Sequence, residues 1–380
     1  MSVYISGIGL TKIARNWGAS LRDLAGKAAI KALSWSNIGK IDALYIGNMS
    51  SGIYNGQENL GSLIANYIGV NNIPAFKVEA ACASGAAAFV QAYLSVKSGI
   101  FSNVLVVGVE KMTDLTDTED VTSALATAAD AEYEVFHGAS FTALNAMIMQ
   151  RYMYEYKVDN EVFGRFSVLM HENGAHNPYA QVRSRISLEK YFSSPFISKP
   201  IRLLDCSPIG DGAAAILLSS DEKYSLNVKV SGVGMATDSI QLFVRENPLR
   251  LTAAYLAVKD ALKMANTSIE KIDVIETHDA FTIMGLLSLE EMGLAKKGKS
   301  SDLIEKEVIG VSGDKPVNPS GGLKSRGHPV GATGVYQIAE ITLQLIGKFS
   351  GLQVKDAVRG LTLNIGGTAS NCISTVLERC

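Results

Sequence analysis

The residues of this sequence that could do chemistry begin with a cysteine whose neighbours are almost all small. Cys82 lies in AACASGAAAF, residues 80–89, between a short apolar run and a long apolar segment. One interpretation is packing, because a buried thiol behaves as a small hydrophobic group. The other is nucleophilic catalysis, since a cysteine between a strand and a helix would have its thiolate stabilised by the helix dipole. The local residues favour neither interpretation, although the small neighbours would leave room for a long, thin ligand.

A histidine in a glycine-rich loop is a candidate general base. His328 lies in NPSGGLKSRGHPVGATG, residues 318–334, just before a predicted helix. The dipole at the start of a helix opposes protonation of an imidazole, and a neutral imidazole can deprotonate a thiol. The many glycines predict that the backbone approaches a ligand closely at this loop.

The other histidines divide into one site candidate and three without a predicted role. His278 ends a predicted strand in IETHDAFTIMG, and ligands gather at the carboxyl ends of strands in open α/β sheets. The next residue, Asp279, is predicted to cap the helix that follows. The spacing of His137, His171 and His176 fits no metal motif, so we expect them to be solvated or to shape a ligand loop, with no metal bound.

These residues need elements to position them, and an internal duplication predicts those elements. IGKIDALYIG (38–47) has a counterpart in IEKIDVIETH (269–278), and each pattern is typical of a helix end, a turn and a buried strand. Likewise CASG (82–85) corresponds to HPVG (328–331), and VLVVGVE corresponds to LTLNIGG. The repeat predicts two α/β halves with mostly parallel sheets, related by a pseudo-twofold axis. Cys82 and His328 would then converge near that axis.

A long excursion interrupts the first of the two halves. Residues 113–202 have a different character from the rest, and such a long segment in a compact α/β protein is usually a cap or lid. We therefore predict one unit over 1–220, containing this insertion, and a second unit over 221–380.

Composition and charge exclude several classes of partner. The 380 residues are 47% hydrophobic with a formal net charge of -2, so no basic field is present for nucleic acid or an anionic membrane. The first ten residues are typical of a strand rather than a signal peptide, and no apolar run is long enough to span a bilayer. The four scattered cysteines predict reduced thiols in the cytoplasm. No nucleotide-binding glycine motif occurs.

Six segments, in order, resemble the thiolase superfamily over nearly the whole chain. They are ACASG around Cys82, VGVEKM (107–112), LLDCSPIGDGAAA (203–215), HDAF (278–281), the glycine-rich loop, and NIGG (364–367). HDAF with NIGG is most similar to the archaeal-type acetyl-CoA C-acetyltransferases, which are related to the sterol-carrier-protein thiolases. The resemblance implies a layered α-β-α-β-α core of two duplicated halves with an inserted lid domain. It also implies coenzyme A thioesters as substrates, no separate cofactor, and a homodimer or homotetramer.

The resemblance also implies roles for individual residues. Cys82 would take up the acyl group, His328 would activate it, and His278 would help bind the thioester oxygen of the second acyl-CoA. The backbone N–H groups of Cys82 and Gly366 would form a second oxyanion hole. Coenzyme A would be bound by the glycine-rich loop, although the two basic residues could instead face solvent; these candidates are Ser320, Gly321, Gly322, Lys324 and Arg326.

One departure from the family pattern leaves the α-proton base open. Many thiolases carry a second cysteine in CxGG, where this chain has Asn364, and the cysteine of HDCF in related enzymes is replaced by Ala280. Asn364 could contribute to the site but is no base. The hypothesis is that His278, His328 or a bound water removes the proton.

The resemblance leads to one leading function and two rivals. The leading function joins two acetyl-CoA into acetoacetyl-CoA and CoA, reversibly, as in the mevalonate pathway. The first rival is a decarboxylating, ketosynthase-like condensing enzyme, which needs no α-proton base. The second is a non-catalytic acyl-CoA-binding or lipid-transfer subunit. Related archaeal enzymes also imply a complex with 3-hydroxy-3-methylglutaryl-CoA synthase, bridged by a small OB-fold protein.

Overall fold

Strands and helices alternate along most of the chain, as the apolar periodicity predicts. The computed structural model describes all residues, 1–380. The strands are β1 (Tyr4–Leu10), β2 (Ala43–Gly47), β3 (Ala75–Val78), β4 (Asn103–Glu110), β5 (Phe196–Ser198), β6 (Ile201–Arg202), β7 (Gly212–Ser219), β8 (Val228–Thr237), β9 (Val274–Glu276), β10 (Arg359–Gly366) and β11 (Asn371–Arg379).

The helices lie between these strands, with one concentration inside the insertion. They are α1 (Leu21–Leu33), α2 (Ser51–Asn55), α3 (Leu60–Tyr67), α4 (Ser84–Lys97), α5 (Thr118–Ala126), α6 (Phe141–Tyr156), α7 (Asn160–Ala175), α8 (Leu188–Ser193), α9 (Thr252–Met264), α10 (Thr282–Glu291), α11 (Ser300–Glu305), α12 (Gly322–Arg326) and α13 (Thr333–Leu345). None of them is both long and apolar enough to cross a membrane.

The main sheet has the strand order β3-β2-β4-β7-β1-β8-β11-β10-β9. Strand β2 is parallel to β3 and β4, and β9 is parallel to β10, while every other pair is antiparallel. The prediction of mostly parallel sheets is therefore wrong. The turn between β10 and β11 is too short for a crossover, so those strands must be antiparallel. Because β7 follows the long insertion, it is free to run opposite to β4.

The two halves repeat the same elements in the same places. β1, α1, β2, α4, β4 and β7 correspond to β8, α9, β9, α13, β10 and β11. A shared glycine contact makes the equivalence clear: a Cβ on Gly9 would lie 1.8 Å from the carbonyl oxygen of Ala28, and one on Gly234 would lie 2.0 Å from that of Ala257. In both halves the first strand thus presses against an outer helix. The half-sheets join through one pair, Tyr4 with Lys229.

The halves stack as five layers, which confirms the predicted α-β-α-β-α core. Helix α1 covers the outer face of the first half-sheet, and α9 covers the outer face of the second. Between the half-sheets lie α4 and α13, whose side chains share one buried apolar cluster with strands of both halves. Phe89 of α4 and Tyr336 of α13 are fully buried there. The starts of these two central helices therefore meet in the interior.

The insertion is mainly helical and packs on the second half. It contains α5 to α8, a π-helix at Ala131–Val135 and the β5–β6 hairpin. Phe163 and Phe166 of α7 are fully buried in the cluster that also holds α10. Helix α5 lies elsewhere, over the cysteine site described next.

Candidate active site

The central helices cross at glycines, which brings their first turns together. A Cβ on Gly85 of α4 would lie 2.7 Å from the carbonyl oxygen of Gly331, and one on Gly334 of α13 would lie 2.4 Å from the amide nitrogen of Ala86. No larger side chain fits at this crossing. Cys82 lies two residues before α4 and His328 lies five residues before α13. The predicted convergence of the two loops is confirmed.

Cys82 occupies a tight, buried turn. Its side chain is 3% exposed, and the preceding residue, Ala81, has a φ of 50°, in the left-handed region that disfavours side chains. The thiol belongs to an apolar cluster whose other buried members are Met49, Tyr54, Met112, Val121, Ala124, Ala128 and Val330. Because Val121 and Ala124 belong to α5, the insertion covers the nucleophile candidate.

The thiol is held in its protonated form. Burial raises the pKa of Cys82 to about 12, and the negative charge of Glu110 acts in the same direction. The helix start was expected to stabilise a thiolate, and that expectation is wrong because burial and a nearby carboxylate outweigh the dipole. A base must therefore remove the proton when the thiol reacts.

The end of β10 lies against the Cys82 turn. A Cβ on Gly366 would lie 2.4 Å from the carbonyl oxygen of Ala80, so only glycine fits there. The backbone N–H of the next residue, Gly367, lowers the pKa of Cys82, against the effect of burial. The structure thus brings Gly366 to the site, as expected, and adds the backbone N–H of Gly367 beside the Cys82 thiol.

His278 and His328 form a perpendicular pair. Their ring centroids lie 5.0 Å apart with an interplanar angle of 90°. Both side chains are buried. Asn364 joins them, because its Nδ2 lies 3.0 Å from Nδ1 of His278. The residue that replaces the second cysteine of the family is therefore in direct contact with a candidate catalytic histidine.

The partners of the two rings fix which nitrogen carries each proton. Thr333 donates its hydroxyl proton to the carbonyl of Pro329 at 3.1 Å, so its oxygen accepts from Nδ1 of His328 at 2.7 Å. The Nε2 of His328 is therefore a free lone pair, and it has no hydrogen-bond partner. With the Asn364 amide donating to Nδ1 of His278, the proton of that ring lies on Nε2. One histidine can accept a proton and the other can donate one.

Both rings are neutral over a wide pH range. Burial lowers the pKa of His278 to about 3, with the positive charge of Arg326 as the second cause. Burial also lowers the pKa of His328, and His278 and Arg326 act in the same direction. A neutral His328 agrees with the prediction, although burial rather than a helix dipole is the main cause.

The prediction that the glycine-rich loop binds coenzyme A through its basic residues is wrong. Lys324 and Arg326 are 2% and 0% exposed, respectively, so neither can reach a phosphate at the surface. The Nζ of Lys324 donates to the carbonyl of Cys206 at 2.9 Å, and Arg326 pairs with the buried Glu340. Charges that face inward cannot also hold an external anion.

The small residues of the same loop also face the interior. Ser320 is fully buried and donates to Glu276 at 2.8 Å. A Cβ on Gly321 would lie 2.5 Å from the Cα of Gly174 in α7, and one on Gly322 would lie 2.3 Å from a carboxylate oxygen of Asp279. The glycines therefore admit a neighbouring helix and a buried acid, whereas the sequence suggested a ligand.

Two further expectations need correction, and two are met. Asp279 does not cap α10, because its Oδ1 accepts from the backbone of Leu323 in α12 at 2.7 Å. His171 is buried on α7, where its Nδ1 lies 3.1 Å from the carbonyl oxygen of Ser184. His137 and His176 are exposed, as expected for solvated residues. The expectations for Asp279 and His171 rested on neighbouring residues alone, whereas contacts with distant parts of the chain determine where both side chains lie.

Sequence reasoning missed three groups that shape the site. Thr333 and Gly367 lie inside the glycine-rich loop and NIGG, but the sequence pattern does not reveal that Thr333 contacts His328 or that Gly367 lies beside Cys82. Glu110 was visible as the only charged residue in the apolar run VLVVGVE, and a lone acid at the end of a buried strand is a usable signal for a functional or structural carboxylate.

Comparison with known proteins shows similarity over the whole chain. Residues 6–222 match a family model described as the thiolase N-terminal domain, and residues 234–379 match one described as thiolase C-terminal domain-like. A Methanocaldococcus jannaschii protein named acetyl-CoA acetyltransferase is 44% identical over 392 residues, with 99% of each chain covered. A Methanothermobacter thermautotrophicus protein of the same name is 41% identical over 383 residues, again with 99% of each chain covered.

A solved structure shares the fold at lower sequence identity. The structure titled Ltp2-ChsH2(DUF35) aldolase superimposes with a TM-score of 0.85 and 22% identity, covering 100% of this chain and 98% of that one. At this level of identity the likeness concerns the fold, and the chemistry must be argued from the site.

Proposed function

We infer the activity of this protein from its family, because the chain belongs to the thiolase family over nearly its whole length. It is an acyltransferase that interconverts two molecules of acetyl-CoA with acetoacetyl-CoA and CoA. Relatives at 41% and 44% identity carry the name acetyl-CoA acetyltransferase. The observation in the site that best supports this reaction is a buried thiol on one half opposite two neutral histidines on the other.

In the first step, we propose that Cys82 becomes acetylated. The lone pair on Nε2 of His328 takes the thiol proton as the sulfur attacks the carbonyl of acetyl-CoA. The carbonyl electron pair moves to the oxygen, where the backbone N–H groups of Cys82 and of the Gly366–Gly367 turn can stabilise it. When the carbonyl re-forms, CoA leaves as a thiolate and receives the proton from His328. The free base on His328 is thereby restored.

In the second step, the same base serves again. We propose that Nε2 of His328 removes an α-proton from a second acetyl-CoA, and that the resulting carbon attacks the acetyl group on Cys82. The C–C bond forms, the C–S bond to Cys82 breaks, and the proton on His328 returns to the cysteine sulfur. Of the three hypotheses for the base, His328 has the support of its unpartnered Nε2.

His278 takes a different role in this proposal. With its proton on Nε2, it donates a hydrogen bond to the thioester oxygen as negative charge develops on the enolate. Asn364 sets this orientation by donating to Nδ1 at 3.0 Å. Asn364 therefore occupies the position of the missing second cysteine but acts by orienting His278. The removal of the α-proton is carried out by His328 instead.

The test is thiolysis with a matched cysteine control. The purified protein is incubated with acetoacetyl-CoA and CoA, and acetyl-CoA is followed by mass spectrometry. We expect turnover in the wild type and in Cys380→Ser, whose cysteine is exposed at the end of β11. We expect none in Cys82→Ser. Turnover that survives in Cys82→Ser would contradict the proposed acyl-enzyme.

The two rival functions predict different outcomes in a condensation assay and in an acyl-CoA-binding assay. A decarboxylating enzyme would form acetoacetyl-CoA from acetyl-CoA only when malonyl-CoA is added, with release of CO2. A binding subunit would retain acyl-CoA in Cys82→Ser and would never carry an acetyl group on the cysteine. Either result would replace the thiolase reaction.

The assembly and location remain proposals. We propose a homodimer or homotetramer, supported by the exposed edge strand β3, whose Phe76 is 56% exposed. We propose a cytoplasmic location, supported by four free cysteines. Resemblance alone supports a complex with 3-hydroxy-3-methylglutaryl-CoA synthase through an OB-fold protein, and a role in the mevalonate pathway. Light scattering tests the first, and co-expression with affinity capture tests the complex.

A further inference from the structure

A buried carboxylate joins the two halves beside the nucleophile and has no part in the steps above. Glu110 is the last residue of β4 and is fully buried. Its Oε2 accepts from the backbone N–H groups of Met49, at 2.8 Å, and Gly331, at 3.0 Å. Its Oε1 accepts from Nδ2 of Asn48 at 3.0 Å and from the N–H of Ser50 at 3.1 Å. One side chain thus holds two separate loops.

The four partners define its charge state. All of them are donors, so an ionised carboxylate fits this cage, whereas a protonated one would direct its O–H at another donor. Burial raises the pKa of Glu110 to about 7, and the backbone donors hold it from rising further. The titratable groups that face it are Cys82, Tyr54 and Lys77.

The two loops held by Glu110 both line the nucleophile. The side chains of Met49, from the first half, and Val330, from the second, pack in the apolar cluster around Cys82. Gly331 follows Val330 directly, so one oxygen of Glu110 sets the spacing of the two side chains. The contact is too close for any side chain at position 331, because a Cβ on Gly331 would lie 2.5 Å from Oε2 of Glu110.

We propose that Glu110 is a positioning residue for the reaction inferred above. Its carboxylate holds the Asn48–Ser50 turn and the turn after His328 in register across Cys82. Its charge adds to the effect of burial, and the two together keep the thiol protonated until His328 takes the proton. The effect on turnover rests on the proposed function, while the effect on the thiol does not.

The experiment separates the hydrogen bonds that Glu110 accepts from the effect of its charge. Glu110→Gln keeps the shape and removes the charge, and Glu110→Asp keeps the charge and shortens the reach. For each variant, kcat for thiolysis is measured, together with the pH midpoint for alkylation of Cys82 by iodoacetamide, read from the Cys82 peptide by mass spectrometry. Circular dichroism and the melting temperature report folding. Glu290→Gln is the matched control, because Glu290 is also buried and accepts at 2.6 Å from Tyr152, which belongs to a different apolar cluster from Cys82.

The expected results differ between the variants. In both Glu110 variants, kcat should fall about tenfold or more, since hydrogen bonds from buried donors are lost. The alkylation midpoint should move to lower pH in Glu110→Gln and stay in place in Glu110→Asp. Glu290→Gln should match the wild type in both readouts.

Several outcomes would overturn the proposal. It fails if Glu110→Gln keeps kcat within about twofold of the wild type with an unmoved midpoint. It also fails if kcat falls only in proportion to the folded fraction. An inactive wild type would instead refute the proposed function, and the alkylation midpoint would still decide whether Glu110 acts on the thiol.

Discussion

The two halves of this molecule carry the same elements but place opposite charges beside their reactive groups. In the first half, the anionic Glu110 helps to raise the pKa of Cys82. In the second half, the cationic Arg326 helps to lower the pKa of His278 and His328. The thiol becomes charged by losing a proton, and each imidazole becomes charged by gaining one. A nearby negative charge therefore keeps the thiol neutral, and a nearby positive charge keeps the imidazoles neutral. All three groups rest uncharged.

This difference shows how a duplicated unit can divide the labour of one reaction. Both halves place a reactive residue just before a central helix, and the crossing glycines bring the two together. Cys82 and His328 form no thiolate–imidazolium ion pair in the resting protein. Charge on either group therefore arises only when the thiol attacks a substrate. The fold supplies the position in both halves. Burial is the main cause of the uncharged states, and one buried charge in each half acts in the same direction.

The comparison makes His328 the most sensitive position in the second half. His328→Asn removes the free Nε2 lone pair, and we expect kcat for thiolysis to fall by about 100- to 10,000-fold, the usual cost of losing a general base. Steady-state kinetics measures this. The control is His176→Asn, which changes an exposed histidine of the insertion. A loss of less than about tenfold would mean that another group takes the proton.

Asn364→Asp should be the next most damaging change. A carboxylate would accept from Nδ1 of His278, which would move the ring proton and leave Nε2 unable to donate. Losing one oxyanion donor typically costs about 100- to 1,000-fold in kcat. Condensation and α-proton exchange of acetyl-CoA in deuterated water should both slow, while acetylation of Cys82, measured by rapid quench, should be nearly unchanged. If acetylation of Cys82 slowed as much as condensation does, the assignment of the His278 proton to Nε2 would be rejected.

Two matched glycine variants test the structural side of the comparison. Gly9→Ala and Gly234→Ala each add a methyl group about 2 Å from a helix carbonyl oxygen. We expect each to lower the free energy of unfolding by about 1–3 kcal/mol, the usual cost of overpacking. Urea denaturation measures the loss. Gly39→Ala is the control, since nothing lies within 4 Å of an added Cβ there. A large loss in one half only would show that the halves are not mechanically equivalent.

The smallest expected effect is a pair of opposite pH dependences. The pKa of His278 is lowered from 6.5 to about 3, so its contribution to stability is present above 6.5 and is lost as the pH falls toward 3. The pKa of Cys82 is raised from 9.0 to about 12, so its contribution is present below 9.0 and is lost as the pH rises. Each loss has a limit of about 1.4 kcal/mol per pH unit.

The measurement compares the wild type with variants that cannot titrate. The stability difference between wild type and His278→Asn should shrink as the pH falls from about 7 to about 5. The stability difference between wild type and Cys82→Ser should shrink as the pH rises from about 9 to about 10.5. Flat differences would show that these groups titrate normally in the folded protein.

The local patterns of the sequence were enough to predict the elements and the central meeting point. Strands and helices are short-range features, and the repeat of IDALYIG and IDVIETH carries over directly to β2 and β9. Cys82 and His328 were candidates because small residues and glycines surround them, but the neighbours of Cys82 favoured neither packing nor catalysis, and the resemblance to the thiolases implied the roles of both residues. Strand direction was not predictable in the same way, since the pattern of a buried strand is the same whether its neighbour is parallel or antiparallel.

Buried charges account for most of the errors at the site. Lys324 and Arg326 look like surface residues in the sequence, and only the packing of α7 and α13 shows that they point inward. The pKa of Cys82 is likewise raised by burial first and then by Glu110, which is 28 positions away in the chain. A pattern of neighbours along the chain does not reveal partners that meet through the fold.

The pairing of β1 has a consequence for synthesis. Leu10, at the end of β1, pairs with Ala214 of β7, and the insertion lies between them. At translation rates of about 5–20 residues per second, the first strand must wait about 10–40 s for its partner. Throughout that time the backbone N–H and C=O groups on this edge of β1 are open to other nascent chains or to chaperones. The second half faces a shorter delay, so assembly of the whole depends on how long the earliest segment stays protected.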